Sequence, residues 1–380
     1  MIPRQISRLV LERLGHYPAV GLLGARQSGK TTLARSLEGS YFDLEQDRDR
    51  LRLDLEWDRL AEGGSLIVLD EAQSWPEVFS RIRGAIDEDR GRNGRFLLVG
   101  SVSPSLMIHV SESLAGRLSL VELTPFIHGE LSDAALEDLW LRGGYPDGGV
   151  RDPSRFPQWQ LDYLDVLIHR DLPNWGLPAA PRVTRRLVHM TAAVHGQLWN
   201  ASQIGQGLGL SYATVNKYMD FLEGIFLIRR LPPFLANVRK RLTRRPKIYW
   251  RDSGLLHALL LAPSREDLLN QPWVGASWEG FVIEQILNAL AATGRRAEPH
   301  FFRTSDGHEI DLLLKQENGL WAIEVKLTGS PGPEDFRRLD KAADLAGADW
   351  RVLISQTRGP VSEGKRISCS LPWFLENCMG

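Results

Sequence analysis

Cysteine is almost absent from this chain: Cys369 and Cys378 are the only two in 380 residues, and they lack metal-ligand spacing. A disulfide framework is excluded, and a reducing compartment is the expected setting. Long apolar runs are missing as well. The longest, LLHALLLA over 255–262, is far short of the roughly 18 residues a membrane span needs. The N-terminal MIPRQISRLVLERL has charges breaking every apolar stretch, unlike a secretory leader. Net charge is lacking too, at −1, so only local clusters can point to a nucleic-acid partner. These absences together lead to the expectation of a cytoplasmic protein with no membrane partner. What is present, 43% hydrophobic and 24% charged residues over 380 positions, fits a soluble chain of two to four domains.

The first strong pattern is GARQSGKT, residues 24–31. An apolar run, AVGLL (19–23), precedes it and a helical composition, TTLARSLE, follows. Strand, glycine loop and helix is the context that a phosphate-binding loop requires. Gly24 and Gly29 let the backbone curl so that its N–H groups, from Gly24 through Ala25, Arg26, Gln27, Ser28 and Thr32, can face phosphates. Lys30 is expected to reach the β- and γ-phosphates of ATP, and the Thr31 hydroxyl to ligate Mg²⁺.

A second pattern supports the first. SLIVLDEA (65–72) is an apolar run that ends in two acids. Asp70 is expected to hold Mg²⁺ through water, and Glu71 to polarise the attacking water, which favours hydrolysis over phosphoryl transfer to a small molecule. A third apolar run, RFLLVGS (95–101), ends in Ser101, a candidate contact to the γ-phosphate or the lytic water. Arg117, ahead of a fourth run in LAGRLSLVEL, is a candidate to face a nucleotide in its own subunit or in a neighbour. A structural ion pair is the alternative.

These motifs, with YFDLE, LTPF and GGYP, make residues 1 to about 180 resemble the AAA-type ATPases of bacteria and archaea that carry a nuclease-like C-terminal domain. The resemblance implies a doubly wound parallel sheet, ATP hydrolysis and a helical lid over RGGYPD (142–147) and YLDVLIHRDL (163–172), with Arg170 as a candidate second nucleotide sensor. A homo-oligomer is a candidate state.

The middle of the chain opens after a proline-rich break, LPNWGLPAAP (172–181). Residues 200–231 read as helix, turn, helix and apolar strand, with Ser202 as the expected first N-cap, Gly209 in the turn and Ser211 opening the second helix. Ile204, Leu208, Val215, Met219 and Leu222 form the expected packed face. Tyr212, Thr214, Asn216 and Lys217 form the exposed one, so a winged helix-turn-helix that contacts DNA is expected, with an interdomain module as the alternative. From Arg229 to Arg251 the chain holds nine basic residues and no acidic ones, among them Arg239, Lys240, Arg241, Arg244 and Arg245. Phosphate contacts are the expected use of such a run, and a solubilising linker is the alternative. Tyr249 could stack on bases, whereas Trp250 reads as core.

GHEIDLLLKQENGLWAIEVKL (307–327) holds two alternating runs around an Asn318-Gly319 step, the signal for a two-residue hairpin turn. That register sets Asp311 opposite Lys326 and Leu313 opposite Glu324. Asp311, Glu324 and Lys326 then share one face, with Glu309 as a further acid. Ile310, Leu312, Leu314, Trp321, Ile323 and Val325 occupy the other. Two acids and a lysine suit metal-assisted phosphodiester cleavage with Mg²⁺ or Mn²⁺. The set resembles the PD-(D/E)xK nucleases, although the Pro-Asp pair is missing; that resemblance implies Glu279, in SWEGFVIEQIL, as a further metal ligand.

The expected architecture is a multidomain α/β protein: a P-loop core (1–135), helical lid (136–182), winged helix (183–238) and restriction-endonuclease-like domain (239–380). Two functions follow. One is an ATP-regulated, metal-dependent DNA nuclease. The other is an ATP-switched DNA- or protein-binding module with a non-catalytic nuclease-like domain.

Overall fold

A computed structural model of the chain describes residues 2–100, 114–131, 135–235 and 243–378. Ser101 and the basic residues Arg239, Lys240 and Arg241 lie outside the described residues.

The first layer is a parallel sheet. Its strands are β1 (Ala19–Leu23), β2 (Ser40–Asp43), β3 (Ile67–Asp70), β4 (Phe96–Val99) and β5 (Leu118–Glu122), in the order β2-β3-β4-β1-β5. Every residue of β1 is buried because helices cover both faces of the sheet. Alternate residues serve the two sides. Ala19 and Leu23 meet the core of α3 (Asp47–Glu62) and α4 (Glu77–Glu88), whereas Val20 and Leu22 meet that of α1 (Ile6–His16) and α2 (Lys30–Arg35).

The second layer is mainly helical: α5 (Leu136–Arg142), α6 (Gln158–Val166), α7 (Pro181–Ala193), α8 (Ala201–Leu208) and α9 (Tyr212–Gly224). A two-stranded antiparallel ribbon, β6 (Ile228–Leu231) and β7 (Lys247–Trp250), and α10 (Ser253–Leu259) complete it. One apolar core runs through this layer, from Trp159 and Tyr163 of α6 to Val215 and Met219 of α9 and on to Ile248, Trp250 and Leu256. The cut expected at 182/183 therefore crosses a shared core, and the cut expected at 238/239 separates two strands of one ribbon. Tyr249 and Trp250 are both buried, so neither is available to stack on a base.

The caps of the helix pair follow the sequence at two positions and depart from it at a third. Ser211 caps α9 by accepting from the Thr214 N–H, and Gly209 takes the left-handed conformation that ends α8. The cap of α8 is Asn200 rather than Ser202: its side chain accepts from the Gln203 N–H, two residues earlier than expected.

The third layer is a mixed sheet ordered β12-β13-β11-β10-β9-β8, with strands β8 (Glu298–Arg303), β9 (Glu309–Gln316), β10 (Gly319–Val325), β11 (Trp350–Ile354), β12 (Val361–Glu363) and β13 (Arg366–Cys369). Between the ribbon layer and this sheet run α11 (Arg265–Leu269) and α12 (Val274–Ala292), and α13 (Pro333–Ala346) and α14 (Leu371–Cys378) follow. Residues of α12 pack on one sheet face, and Leu339, Ala342 and Ala343 of α13 pack on the other.

The β9–β10 register differs from expectation. Trp321 pairs with Leu314 and Ile323 with Leu312, so the turn is Glu317-Asn318 and Gly319 opens β10. Asp349 fixes this choice. Its carboxylate accepts from the Leu320 N–H at 3.0 Å, and a Cβ on Gly319, whose φ is +122°, would stand 2.6 Å from the same carboxylate. The shift is two residues, so facing residues still share a side while every partner changes: Ala322, not Glu324, comes opposite Leu313. Strict alternation also fails near Asp311. Ile310 joins Leu313 and Ala322 under α13, while Leu312 and Leu314 lie on the α12 side. The break adjoins a register shift between His300 and Phe302 of β8.

Candidate functional site

Two clusters of charged groups lie at strand ends. The first is built on β1 and β3. After β1 the chain turns sharply at Gly24, where φ is +153° and a Cβ would stand 2.1 Å from the Leu123 carbonyl oxygen. Only glycine fits there. Gly29, with φ +99°, makes the second turn into α2. The Lys30 ammonium folds back into this loop and donates to the Gly24 and Ala25 carbonyls at 3.0 and 2.8 Å. Burial lowers its pKa to about 8, against the opposing charges of Glu71 and Asp70. The Ser28 hydroxyl is buried in the same loop with no hydrogen-bond partner among the described residues.

Asp70 ends β3 beside the loop. Its Oδ2 accepts from the Thr31 hydroxyl at 2.7 Å and from the Tyr41 hydroxyl at 2.6 Å. Glu71, next along, has a left-handed backbone (φ +48°). Burial raises its carboxyl above the ordinary range, and the Gln73 amide donates to it. Tyr41, on the neighbouring strand β2, was not expected from sequence, where it was merely one letter of YFDLE.

Two further contacts tie the loop to distant segments. Arg26 pairs with Asp171 at 2.5 Å, at the end of a π-helical turn over Leu167–Asp171. Arg170 bonds the same carboxylate at 2.8 Å, so the candidate sensor is engaged by its neighbour. Arg4 donates to the Ser28 carbonyl at 2.9 Å and the Thr124 carbonyl at 2.6 Å, and pairs with Glu130 at 3.1 Å. A cavity of about 440 Å³ opens between these segments, lined by Gly29, Thr32 and Leu33 of the loop and α2, by Ile2 and Arg4, and by Phe126 and Pro146 across from them.

Arg117 stands elsewhere. It precedes β5, which runs parallel to β1, so it lies at the sheet edge opposite the loop, about 16 Å away for five strand residues. Both oxygens of Asp87 accept from it, at 2.7 and 3.0 Å. A role at the nucleotide of its own subunit is excluded by that placement, and the structural ion pair is observed.

The second cluster gathers at the ribbon, α12 and the β9–β10 hairpin. Asp311, Glu309 and Glu279 come together around Lys247, a residue of the basic run with no local sign of this placement. The Lys247 ammonium stands 2.8 Å from Glu279, 2.8 Å from Glu309 and 3.8 Å from Asp311. Burial opposes its charge, but Tyr249 and the three acids outweigh it and raise its pKa. The Tyr249 hydroxyl also donates to Glu279. Asp311 accepts from the Val325 N–H at 2.9 Å, and burial together with Glu279 and Glu324 raises its pKa. Glu324 pairs with Lys326 at 2.6 Å. The acids do not fit a divalent metal in this arrangement. An ammonium already stands among them, and no three acidic, His or Cys side chains form a metal-ligand group among the described residues.

The expected DNA-binding set divides. Tyr212 and Lys217 are exposed, as are Arg244 and Arg245, but Thr214 is half-buried against Ser211. Asn216 is committed to the fold, accepting from the Trp199 indole N–H at 3.0 Å. Much of the basic run is internal as well. Arg229 and Arg251 both pair with buried Glu284, Arg251 also with Glu122 at 2.6 Å, and Arg230 with Asp220 and Glu223.

The parallel sheet and its glycine loop define a P-loop protein, and residues 16–132 match the family described as AAA domain. Residues 133–266 and 274–374 match two domains of unknown function, DUF8612 and DUF4143. The uncharacterized proteins Rv2008c of Mycobacterium tuberculosis and Mb2031c of Mycobacterium bovis are each 37% identical over 337 residues, which cover 87% of this chain and 75% of theirs. The chain belongs to the same family as these mycobacterial proteins. Its fold is also similar to that of the Walker-type ATPase paby2304 of Pyrococcus abyssi, at 18% identity and a TM-score of 0.50, over 68% of this chain and 96% of that one. No helix among the described residues is long and apolar enough to cross a membrane.

Proposed function

We propose that the protein binds ATP with Mg²⁺ in the P-loop and hydrolyses it. The observation that carries this reading is the convergence of Lys30, Thr31, Asp70 and Glu71 beside a cavity of about 440 Å³. That volume is within the roughly 300–1,000 Å³ of small-molecule sites. The cavity's apolar walls, Ile2, Leu33 and Phe126, suit a nucleoside base.

Each group has a physical task. Lys30 exchanges two carbonyl partners for phosphate oxygens, whose charge it meets in a buried setting. Ser28 and the loop N–H groups donate to the same phosphates. Thr31 and Asp70, already 2.7 Å apart, would hold Mg²⁺, the hydroxyl as a direct ligand and the carboxylate through water. When bound, that ion neutralises charge on the phosphates. Glu71 is a carboxylate whose burial makes it a stronger base, suited to orient the attacking water and draw its proton. Arg26, through Asp171, connects the loop to the helical layer, so closure around a nucleotide would be felt there.

The test is phosphate release from ATP in Mg²⁺ by the full chain. Wild-type protein should turn over, and Glu71→Gln should bind ATP equally while hydrolysing it roughly 10²–10⁴-fold more slowly. Equal turnover by the two would remove Glu71 from this role.

A second reading, contact with DNA through a winged helix, is favoured by the exposure of Tyr212 and Lys217 on α9 and of Arg244 and Arg245 before β7. Charge removal at Lys217, Arg244 and Arg245 should then flatten the dependence of log affinity on log salt by about one unit per lost contact. An unchanged slope would leave α9 as an interdomain helix. Metal-dependent cleavage by the acid cluster has no such support, since Lys247 stands among its carboxylates.

A further inference from the structure

Lys247 belongs to the ribbon of the helical layer, yet its charged end lies in the C-terminal layer. Its backbone is fixed on both edges, to Leu231 of β6 and to Leu198 by a single bridge. The side chain is 4% exposed, and the ammonium passes 5.7 Å from the centre of the Phe301 ring. The ammonium donates to Glu279 on α12 at 2.8 Å, lies 2.8 Å from the Glu309 carboxylate on β9, and has Asp311 3.8 Å away. Three elements distant in sequence thus converge on one tethered cation. Tyr249, two residues along the same strand, reinforces the arrangement by donating to Glu279.

Carboxylates gathered this closely repel one another unless a cation lies between them. Hard divalent ions fill that role with oxygen ligands, and a lysine ammonium can fill it as a compact point charge. We propose that Lys247 is the resident cation of the acid cluster, a built-in substitute for a divalent ion, so that this arrangement of the C-terminal layer excludes Mg²⁺ and Mn²⁺. One feature shows what removal of the lysine would expose. The Oε2 of Glu324 is buried without a hydrogen-bond partner among the described residues. Glu279 and Glu309 are among its charged neighbours, so removal of the ammonium frees an oxygen donor, and these acids, which form no metal-ligand group as they stand, can then close around an ion. The proposal is independent of the ATPase reading, because none of these residues touches the P-loop.

The test is titration of nucleotide-free, full-length protein with Mn²⁺, followed by electron paramagnetic resonance of the free ion. Wild-type protein should show no site tighter than about 1 mM in this layer. Lys247→Met, which keeps the apolar stem and removes the charge, should gain one site bound on the order of 100-fold more tightly. Adding Asp311→Asn to Lys247→Met should abolish that site. Should Lys247→Met fail to fold, Lys247→Met/Glu309→Gln removes one excess negative charge and serves in its place. A tight site in wild-type protein that disappears with Asp311→Asn would overturn the proposal, and so would a folded lysine-free variant that gains no site. The wild-type titration decides the first of these whatever the variants do.

Discussion

Lys30 and Lys247 both carry a buried ammonium close to acidic groups, but their partners differ in kind. Lys30 donates to two backbone carbonyls, while Asp70 and Glu71 lie nearby without bonding it. Lys247 donates to Glu279 and approaches Glu309 at the same 2.8 Å. A phosphate outcompetes a carbonyl for a buried ammonium because it meets the cation with a full negative charge, where the carbonyl offers only a dipole. Nothing comparable displaces two carboxylates. The P-loop is therefore a site built to receive a ligand, whereas the acid cluster is already neutralised from within. The presence of acids and a lysine in a motif is common to both. What separates them is whether the charges are already matched.

The sharpest way to break the comparison is to remove each lysine in turn and follow ATP. Lys30→Ala should lower kcat/KM for ATP by roughly 10³-fold, as expected for a buried charge partner worth several kcal/mol. Lys247→Met should leave it within about twofold. A comparable loss from both would mean that the clusters act as one site.

A smaller effect tests the seam between the layers. Arg251 joins Glu122, at the end of β5 next to the P-loop strand, to Glu284 on α12. Burial works against the Glu284 charge, but Arg229 and Arg251 hold its carboxyl below the ordinary range. Arg251→Met should lower unfolding free energy by about 3–5 kcal/mol, since it strips a buried carboxylate of a partner. Arg245→Ala, at an exposed position of the same basic run, should change it by less than about 0.5 kcal/mol. Urea denaturation of both variants distinguishes structural from surface arginines, and equal effects would contradict the assignment.

The smallest effect is pH dependence. Burial lowers His195 to about 3 and His257 to about 4. Their stabilising contribution is present above the unfolded value of about 6.5 and declines as pH falls below it, because the unfolded chain takes up the protons first. Asp252 acts in the opposite sense: burial raises it to about 6, so the folded state gains on acidification from about 6 towards about 3.8. From pH 7 to pH 5 these three groups together should cost roughly 2–3 kcal/mol. His257→Gln should shrink that difference, as read from urea midpoints at the two pH values. A difference that does not shrink would mean His257 is not buried neutral.

The P-loop was legible because its groups are contiguous: Gly24 to Thr32 is one loop and the first residues of α2, and Asp70-Glu71 lies at the end of one strand. What joins that loop to its surroundings was not. Arg4, Tyr41 and Asp171 carry no local pattern, and only the folded sheet brings them to Ser28, Asp70 and Arg26. The hairpin illustrates an intermediate case. Its alternation predicted two strands, yet Asp349, a residue outside both, fixed the turn and moved every pairing by two. The basic run misled for a related reason. A stretch without acids reads as a surface for phosphates, but Arg229, Lys247 and Arg251 find their acids on α12 and β9. Charge matching across that distance leaves no trace in a sequence window.

The account is tested most directly by counting the Mn²⁺ ions that wild-type protein holds with and without a non-hydrolysable ATP analogue, using electron paramagnetic resonance. One tightly bound ion per chain that appears only with the nucleotide, and disappears in Thr31→Ala, is the predicted result. A tight ion held without nucleotide and lost in Asp311→Asn would contradict it, because the acid cluster would then be the open site.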